Sequence, residues 1–336
     1  VEDIHRLFEH FSKPTKKVLA TIIGVTGSAY KKEGSAMLFL EDGTQVGTVS
    51  AGCLEADLAL KAKEVMKTGK MMTIQYDMRE ATELAWGLGT GCNGIIDILL
   101  EPITDQLKRD FSTLKQLLDF NIPVLFLKKL EMDGEYIFIP KLGKPFGNWK
   151  GKIPVGFAEV QSGMLAELPI FQHLFQPKPR LICFGAGPDA IPLVAFAAAT
   201  GFSVSVVDWR EAYCQKKNFQ TADKIIVAFP KEAFHQIKFT ADDFVVIMTH
   251  HFQRDQEILL TLLQKELKYL GILGPRDRTR RLLQGGSIPI HIHSPVGFSI
   301  GAKGPEEIAI SILAEMIQIH RQPVIDCMEH VWSITE

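Results

Sequence analysis

The chain has 336 residues, 46% hydrophobic and 23% charged, with a formal net charge of −2, the profile of an ordinary globular protein with room for two full-sized cores. So weak a charge supplies no field for nucleic acid or a membrane surface, and no run of about eighteen apolar residues suggests a membrane span. The five cysteines, Cys53, Cys92, Cys183, Cys214 and Cys327, are odd in number and never spaced C-x-x-C. That disfavours a zinc knuckle and a disulfide framework, so free thiols in a cytoplasmic protein, with no metal centre, are expected.

The opening stretch, EDIHRLFEHFSKP, patterns as an amphipathic helix and not as a signal peptide. VLATIIGV from Val18 is an apolar strand, and AMLFL from Ala36 resumes one after a basic tip, Lys31-Lys32, that suits either a phosphate contact or a solvated hairpin. After the Glu41-Asp42-Gly43 turn the chain passes from strand through a loop into a helix that begins at or just after Cys53 and ends at Gly69. A thiol there faces the positive end of the helix dipole and unpaired N–H groups, which favour the thiolate. Ser50 and Gly52 keep this loop open for an anionic ligand, and Glu55, one turn in, either caps the loop or reaches a polar ligand. The rival reading of Cys53 is a small residue packing a tight turn.

The strand MMTIQYDM and a polar segment then lead to GLGTGCNG, residues 87–94. Four glycines in eight residues fit neither a helix nor a strand interior, so this loop is shaped to let a ligand approach its backbone, with Gly91 beside Cys92 at its centre. Two glycine-cradled cysteines separated by one helix and one strand suggest a single pocket with two thiols. The strand IIDILLEP follows, and residues 106–176 pattern as an amphipathic helix, a strand, a hairpin and a Gly/Lys/Pro-rich stretch. The short rigid linker Gln176-Pro177-Lys178-Pro179 divides an N-terminal mixed α/β domain, 1–176, from a C-terminal domain, 177–336.

The second domain opens on RLICFGAGPDAIPL. A buried strand, Leu181 to Phe184, precedes a turn in which Gly185, Gly187 and Ala190 fit G-x-G-x-x-G/A, and Pro188 stands where a first helical residue tolerates a missing N–H. A second strand with Val204, Val206 and Val207 delivers Asp208 at about the twenty-residue distance where an acid meets a ribose 2′-OH. That is the dinucleotide pattern of a Rossmann-type, doubly wound parallel sheet, with the pyrophosphate on the helix N-terminus. The acid favours NAD, and Arg210 two residues on leaves NADP open. Three further strands follow, ADKIIV, FVVIM and YLGILG. The ends of the last two carry His250-His251, able to act as acid/base, metal ligand or cofactor contact, and Arg276 and Arg278, suited to a phosphate or to plain solvent exposure. A glycine loop and a strongly apolar helix, expected to cover the sheet, close the chain.

Taken together, GSAYKKEGSAML, SAGCLEADL, GTGCNGIIDILLEP, FGAGPDAIPL with VVDWR, THHFQRDQEIL, YLGILGPRDR and PVGFSIGAKGPEEIAISILAE resemble the xanthine dehydrogenase accessory family of the XdhC/CoxI type. The resemblance implies a maturation factor that transiently holds the molybdopterin-based molybdenum cofactor and presents it for sulfuration by a cysteine desulfurase. It also implies help with insertion into a xanthine dehydrogenase-type molybdoenzyme, and a homodimer is expected. The family's first-loop cysteine and neighbouring acid map to Cys53 and Glu55, and its second-loop cysteine to Cys92; Ala51 and Asn93 replace glycines usual there. Two other functions compete. One is an NAD(P)-dependent oxidoreductase with His250 or His251 as acid/base, the other a dinucleotide sensor that docks on a partner. A complete xanthine dehydrogenase is not expected, since scattered cysteines cannot ligate its iron–sulfur clusters.

Overall fold

A computed structural model describes residues 4–79, 94–131, 134–154, 162–165 and 168–321. The chain forms two compact units, Val1–Lys178 and Pro179–Glu336. No helix among the described residues is long and apolar enough to cross a membrane.

The first unit begins with α1 (Ile4–Phe11) and holds two five-stranded antiparallel sheets. The first sheet comprises β1 (Lys17–Gly27), β2 (Ala36–Leu40), β3 (Gln45–Gly47), β4 (Met72–Asp77) and β5 (Gly94–Pro102) in the order β3-β2-β1-β5-β4, with α2 (Glu55–Thr68) between β3 and β4. α3 (Asp105–Asp119) leads into the second sheet: β6 (Val124–Lys129), β7 (Tyr136–Pro140), β8 (Phe146–Gly147), β9 (Gly163–Met164) and β10 (Ile170–Phe175), in the order β8-β7-β6-β10-β9. The near-continuous apolar run of β1 reflects burial on both of its faces. Val18, Ala20 and Ile22 pack on Leu58, Ala62 and Val65 of α2, whereas Leu19 and Ile23 join an aromatic core with Phe8, Phe111, Phe126 and Phe138. That second core is shared by α1, α3 and both sheets, and each such side chain removed from water contributes about 1.5–3 kcal/mol.

The second unit is a six-stranded sheet: β11 (Arg180–Phe184), β12 (Ser203–Asp208), β13 (Lys224–Val227), β14 (Phe244–Ile247), β15 (Tyr269–Ile272) and β16 (Ile292–His293). Every pairing is parallel and the order is β13-β12-β11-β14-β15-β16, so the order reverses between β11 and β14, the place where such sheets take ligands. α4 (Ala190–Ala199) and α8 (Pro305–Arg321) pack on one face through Leu193, Ala197, Ile312 and Met316. α5 (Pro230–Gln236), α6 (Phe252–Leu262) and α7 (Arg276–Leu282) cover the other through Ala233, Ile258, Leu259 and Leu282. This is the doubly wound sheet expected, and the apolar final helix does cover it. The one difference at the glycine turn is that α4 begins at Ala190, leaving Pro188 in the preceding turn.

Candidate functional site

The register of the first sheet brings three connections to one end. Gly27 pairs with Gly94, Asp77 with Ile95, and Met37 with Gly47. The end of β1, the start of β2, the end of β3, the end of β4 and the start of β5 therefore lie together. From this end leave the loop with Lys31 and Lys32 and the loop with Cys53, and β4 and β5 there bracket the segment that carries Gly91 and Cys92. Those two residues lie outside the described residues, as does Cys327.

The Cys53 loop is built from its own hydrogen bonds. Glu55, the first residue of α2, turns its carboxylate back: Oε1 accepts the Val49 N–H at 3.1 Å, the Ser50 N–H at 2.8 Å and the Thr48 hydroxyl at 2.5 Å, and Oε2 accepts the Ser50 hydroxyl. Because the Ser50 proton is committed to Glu55, its oxygen is free to accept the N–H groups of Gly52 at 3.2 Å and Leu54 at 3.1 Å, so a residue outside the helix does the N-terminal capping. Gly52 sits at φ +107, a backbone state that L side chains rarely adopt. Burial pushes the Glu55 carboxyl up, but the hydroxyls of Ser50 and Thr48 and the Ser50 N–H outweigh it and hold the group at about 2. Of the two roles open to Glu55, the geometry assigns loop cap.

At the apex, Cys53 is half-buried, packed against the α2 core. The other two cysteines among the described residues, Cys183 and Cys214, are buried, and burial pushes both thiols up, which keeps them protonated. The first turn of α2 carries Glu55 and Asp57, the latter accepting the Tyr76 hydroxyl at 2.5 Å. The start of α2 next to Cys53 thus carries two acids, both committed to partners other than the thiol.

In the second unit the glycine turn is pinned on both sides. Gly185 donates to Val207 O and Ala186 donates to Asp208. Ala190, fully buried, lets α4 approach the sheet. The two strand-end histidines part company. His250, at φ +62, hydrogen-bonds Asp189 across the reversal point through Nε2 at 2.9 Å. His251 is spent on the start of α6, where Nδ1 accepts the Arg254 N–H at 3.4 Å. Arg276 is exposed at the first position of α7, and Arg278 pairs with buried Asp255 at 2.6 Å. Asp255 also accepts the Thr249 hydroxyl at 2.5 Å, a buried tie between α6, α7 and the end of β14 that the sequence signals only as an acid in a first helical turn.

The turn fits a dinucleotide's pyrophosphate on two counts. The N–H groups of Gly187 and Asp189 donate to no group among the described residues. A Cβ on Gly187 would meet only the His250 ring at 4.0 Å, and its φ needs no glycine, so the fold leaves room there in which a ligand's approach to the backbone would fit. Gly185 differs: at φ +123 its Cβ would stand 2.4 Å from Met248 O. Gly185→Ala is therefore expected to lower the unit's stability by about 1–3 kcal/mol, whereas Gly187→Ala is expected to melt like wild type. Thermal melts on the two variants check the contrast.

Comparison with known proteins agrees with the Rossmann-type fold of the second unit. Residues 12–77 match the family described as XdhC and CoxI, and residues 181–316 the XdhC Rossmann domain. A Bacillus subtilis protein, named as a probable subunit of xanthine dehydrogenase, is 42% identical over 92% of this chain and 94% of its own length. The chain belongs to the XdhC and CoxI family. Residues 105–176, which hold α3 and the second sheet, match a separate description, the BH1974-like central domain. A crystal structure described as a xanthine dehydrogenase from Bacillus halodurans superposes on this member of the XdhC and CoxI family with a TM-score of 0.88 at 48% identity, covering 96% of each chain. PaoD of Escherichia coli, named a molybdenum cofactor insertion chaperone, is 26% identical over 91% of this chain and 84% of its own.

Proposed function

We propose that the chain holds the molybdenum cofactor while a cysteine desulfurase sulfurates it, and then delivers it to a xanthine dehydrogenase-type molybdoenzyme, acting as a cytoplasmic homodimer. The observation that carries this reading is the Cys53 loop, a thiol set at the apex of a turn that Glu55 and Ser50 hold in one shape. A molybdenum–pterin is anionic, bears phosphate and presents a metal with sulfur ligands. A soft thiol donor on a loop that leaves the same sheet end as the loop of Lys31 and Lys32 suits such a cargo. Cys53 grips it, Glu55 holds the loop without touching it, and Cys92, whose segment joins β4 to β5, is the second donor. The kinship with PaoD over most of both chains supports the assignment.

The second unit binds NAD or NADP where the strand order reverses, with Gly185, Gly187 and Ala190 admitting the pyrophosphate and Arg210 and Arg276 near its charged ends. When bound, the nicotinamide supplies a hydride donor or acceptor. A free-standing oxidoreductase is the weaker reading, since His251 caps α6 and His250 is tied to Asp189.

The decisive measurement is cofactor retention. Wild-type chain, Cys53→Ala and Cys53→Ala/Cys92→Ala are loaded with molybdenum cofactor, passed through gel filtration, and assayed for molybdenum and for the fluorescence of the oxidised pterin. Retention is expected to fall at least about tenfold in Cys53→Ala. Equal retention in all three proteins would sink the thiol-grip reading.

A further inference from the structure

The acid of the dinucleotide motif is not presented to a ligand. Asp208 is 1% exposed. One oxygen accepts the Ala186 N–H at 2.7 Å and Nη2 of Arg210 at 2.6 Å; the other accepts the Arg210 N–H at 2.8 Å and Nε at 2.9 Å. A carboxylate has about four lone-pair sites, and here four donors occupy them. A ribose 2′-OH would find no acceptor left. Burial pushes the Asp208 carboxyl up, but Arg210 outweighs it and holds the group below the ordinary carboxylate range, so the pair stays charged.

What reaches the surface is the guanidinium. The Arg210 side chain is 32% exposed, and its Nη1 donates to no group among the described residues. Asp208 holds the Nε–Nη2 edge, and Nη2 also donates to Thr249 O at 3.4 Å, so the outward donor, Nη1, is already oriented. The guanidinium lies 4.8 Å from the Trp209 ring centre and 4.9 Å from that of Tyr213, an aromatic shelf of the kind that stacks a base. A second cation follows: Arg254 lies 4.9 Å from the Phe229 ring and 6.0 Å from Trp209. Phe229, Lys231, His235 and Arg254 line a recess of about 420 Å³ together with Glu232 and Glu257, and Arg254 pairs with Glu257 at 2.9 Å.

We infer that Arg210 makes this unit select a 2′-phosphorylated adenosine ribose, and hence NADP over NAD. Asp208 serves as the internal brace that aims the arginine. A phosphate dianion takes charge-assisted N–H bonds from Nη1, with the long Nη2 contact to Thr249 O the one to yield, and needs no acceptor, whereas a bare 2′-OH needs the acceptor that Asp208 no longer offers. The inference rests on the dinucleotide reading proposed above and reverses the preference for NAD that the spacing of Asp208 suggests.

The test is calorimetric titration of the full chain with NADP⁺, NAD⁺, 2′,5′-ADP and 5′-ADP. NADP⁺ is expected to bind about 10- to 100-fold tighter than NAD⁺, the worth of one hydrogen-bonded charge pair, and 2′,5′-ADP to compete where 5′-ADP does not. Arg210→Leu should bring the ratio near one, and Arg210→Lys should keep part of it. Since Arg210→Leu strands the Asp208 charge, Asp208→Asn/Arg210→Leu serves as the variant with no buried charge to leave unpaired. NAD⁺ binding as tightly as NADP⁺ overturns the selectivity and leaves the dinucleotide reading standing. Binding of neither overturns both, and a ratio unchanged in the double variant overturns the role of Arg210.

Discussion

Lys128→Met is expected to destabilise the first unit by about 3–5 kcal/mol, the cost of leaving one member of a buried ion pair alone. Lys128, on β6 of the second sheet, is fully buried, and its ammonium pairs with Glu101, 8% exposed, on β5 of the first sheet. The same ammonium lies 5.3 Å from the Tyr136 ring centre, and the Tyr136 hydroxyl donates at 2.6 Å to Asp110 on α3. Burial and the neighbouring Asp110 both raise the phenol, so it stays a donor. The network ties both sheets and α3 together inside an otherwise aromatic core. Glu101→Gln is expected to be as damaging, whereas Lys128→Met/Glu101→Leu removes both charges and should recover most of the loss. Urea denaturation followed by a probe in the first unit decides it. Single variants within about 0.5 kcal/mol of wild type would mean that water reaches the pair.

These particulars show which features one-dimensional patterns carry. The βαβ unit is legible because its signals are local: a β-branched strand, glycines that a backbone approach demands, and an acid at a fixed distance. The sixth strand is not, because Ile292–His293 is two residues long and has no periodicity to read. The pattern places Pro188 at the first helical turn, yet the amides of Ala190 and Ile191 donate to Gly187 and Pro188, closing a tight turn first. The spacing that marks Asp208 says nothing of how many donors surround it, and the brace by Arg210 and Ala186 exists only once the turn folds over the strand end. Likewise Lys128 stands out in sequence as a charge inside PVLFLKKL, but its partner lies 27 residues away on another sheet. The Cys53 loop sits between these cases. Its glycine and helix start are local signals, and the choice between the two roles of Glu55 needed the geometry.

Glu55→Gln should cost the first unit about 2–3 kcal/mol and loosen its hold on the cofactor. The carboxylate accepts from two backbone N–H groups and two hydroxyls, and hydrogen bonds to a charged group are worth about 1.5–3 kcal/mol each. The loop is partly open to water, which replaces some of them in the variant, so the full sum is not lost. An amide also turns an NH₂ toward donors that need acceptors, which frees the Ser50 proton and with it the cap on Gly52 and Leu54. The thiol at the apex then samples more orientations, and retention of the molybdenum cofactor should fall with Cys53 itself intact. The acid limb supplies a second readout. The folded pKa of Glu55, about 2, lies below its ordinary value near 4.5, so its contribution is complete above about pH 4.5 and fades as the pH falls through 2. The stability gap between wild type and Glu55→Gln is therefore expected to be constant from pH 7 to about 5 and to close steadily below it. A gap that persists undiminished at pH 2 would show that the carboxylate's charge is not what holds the Cys53 loop.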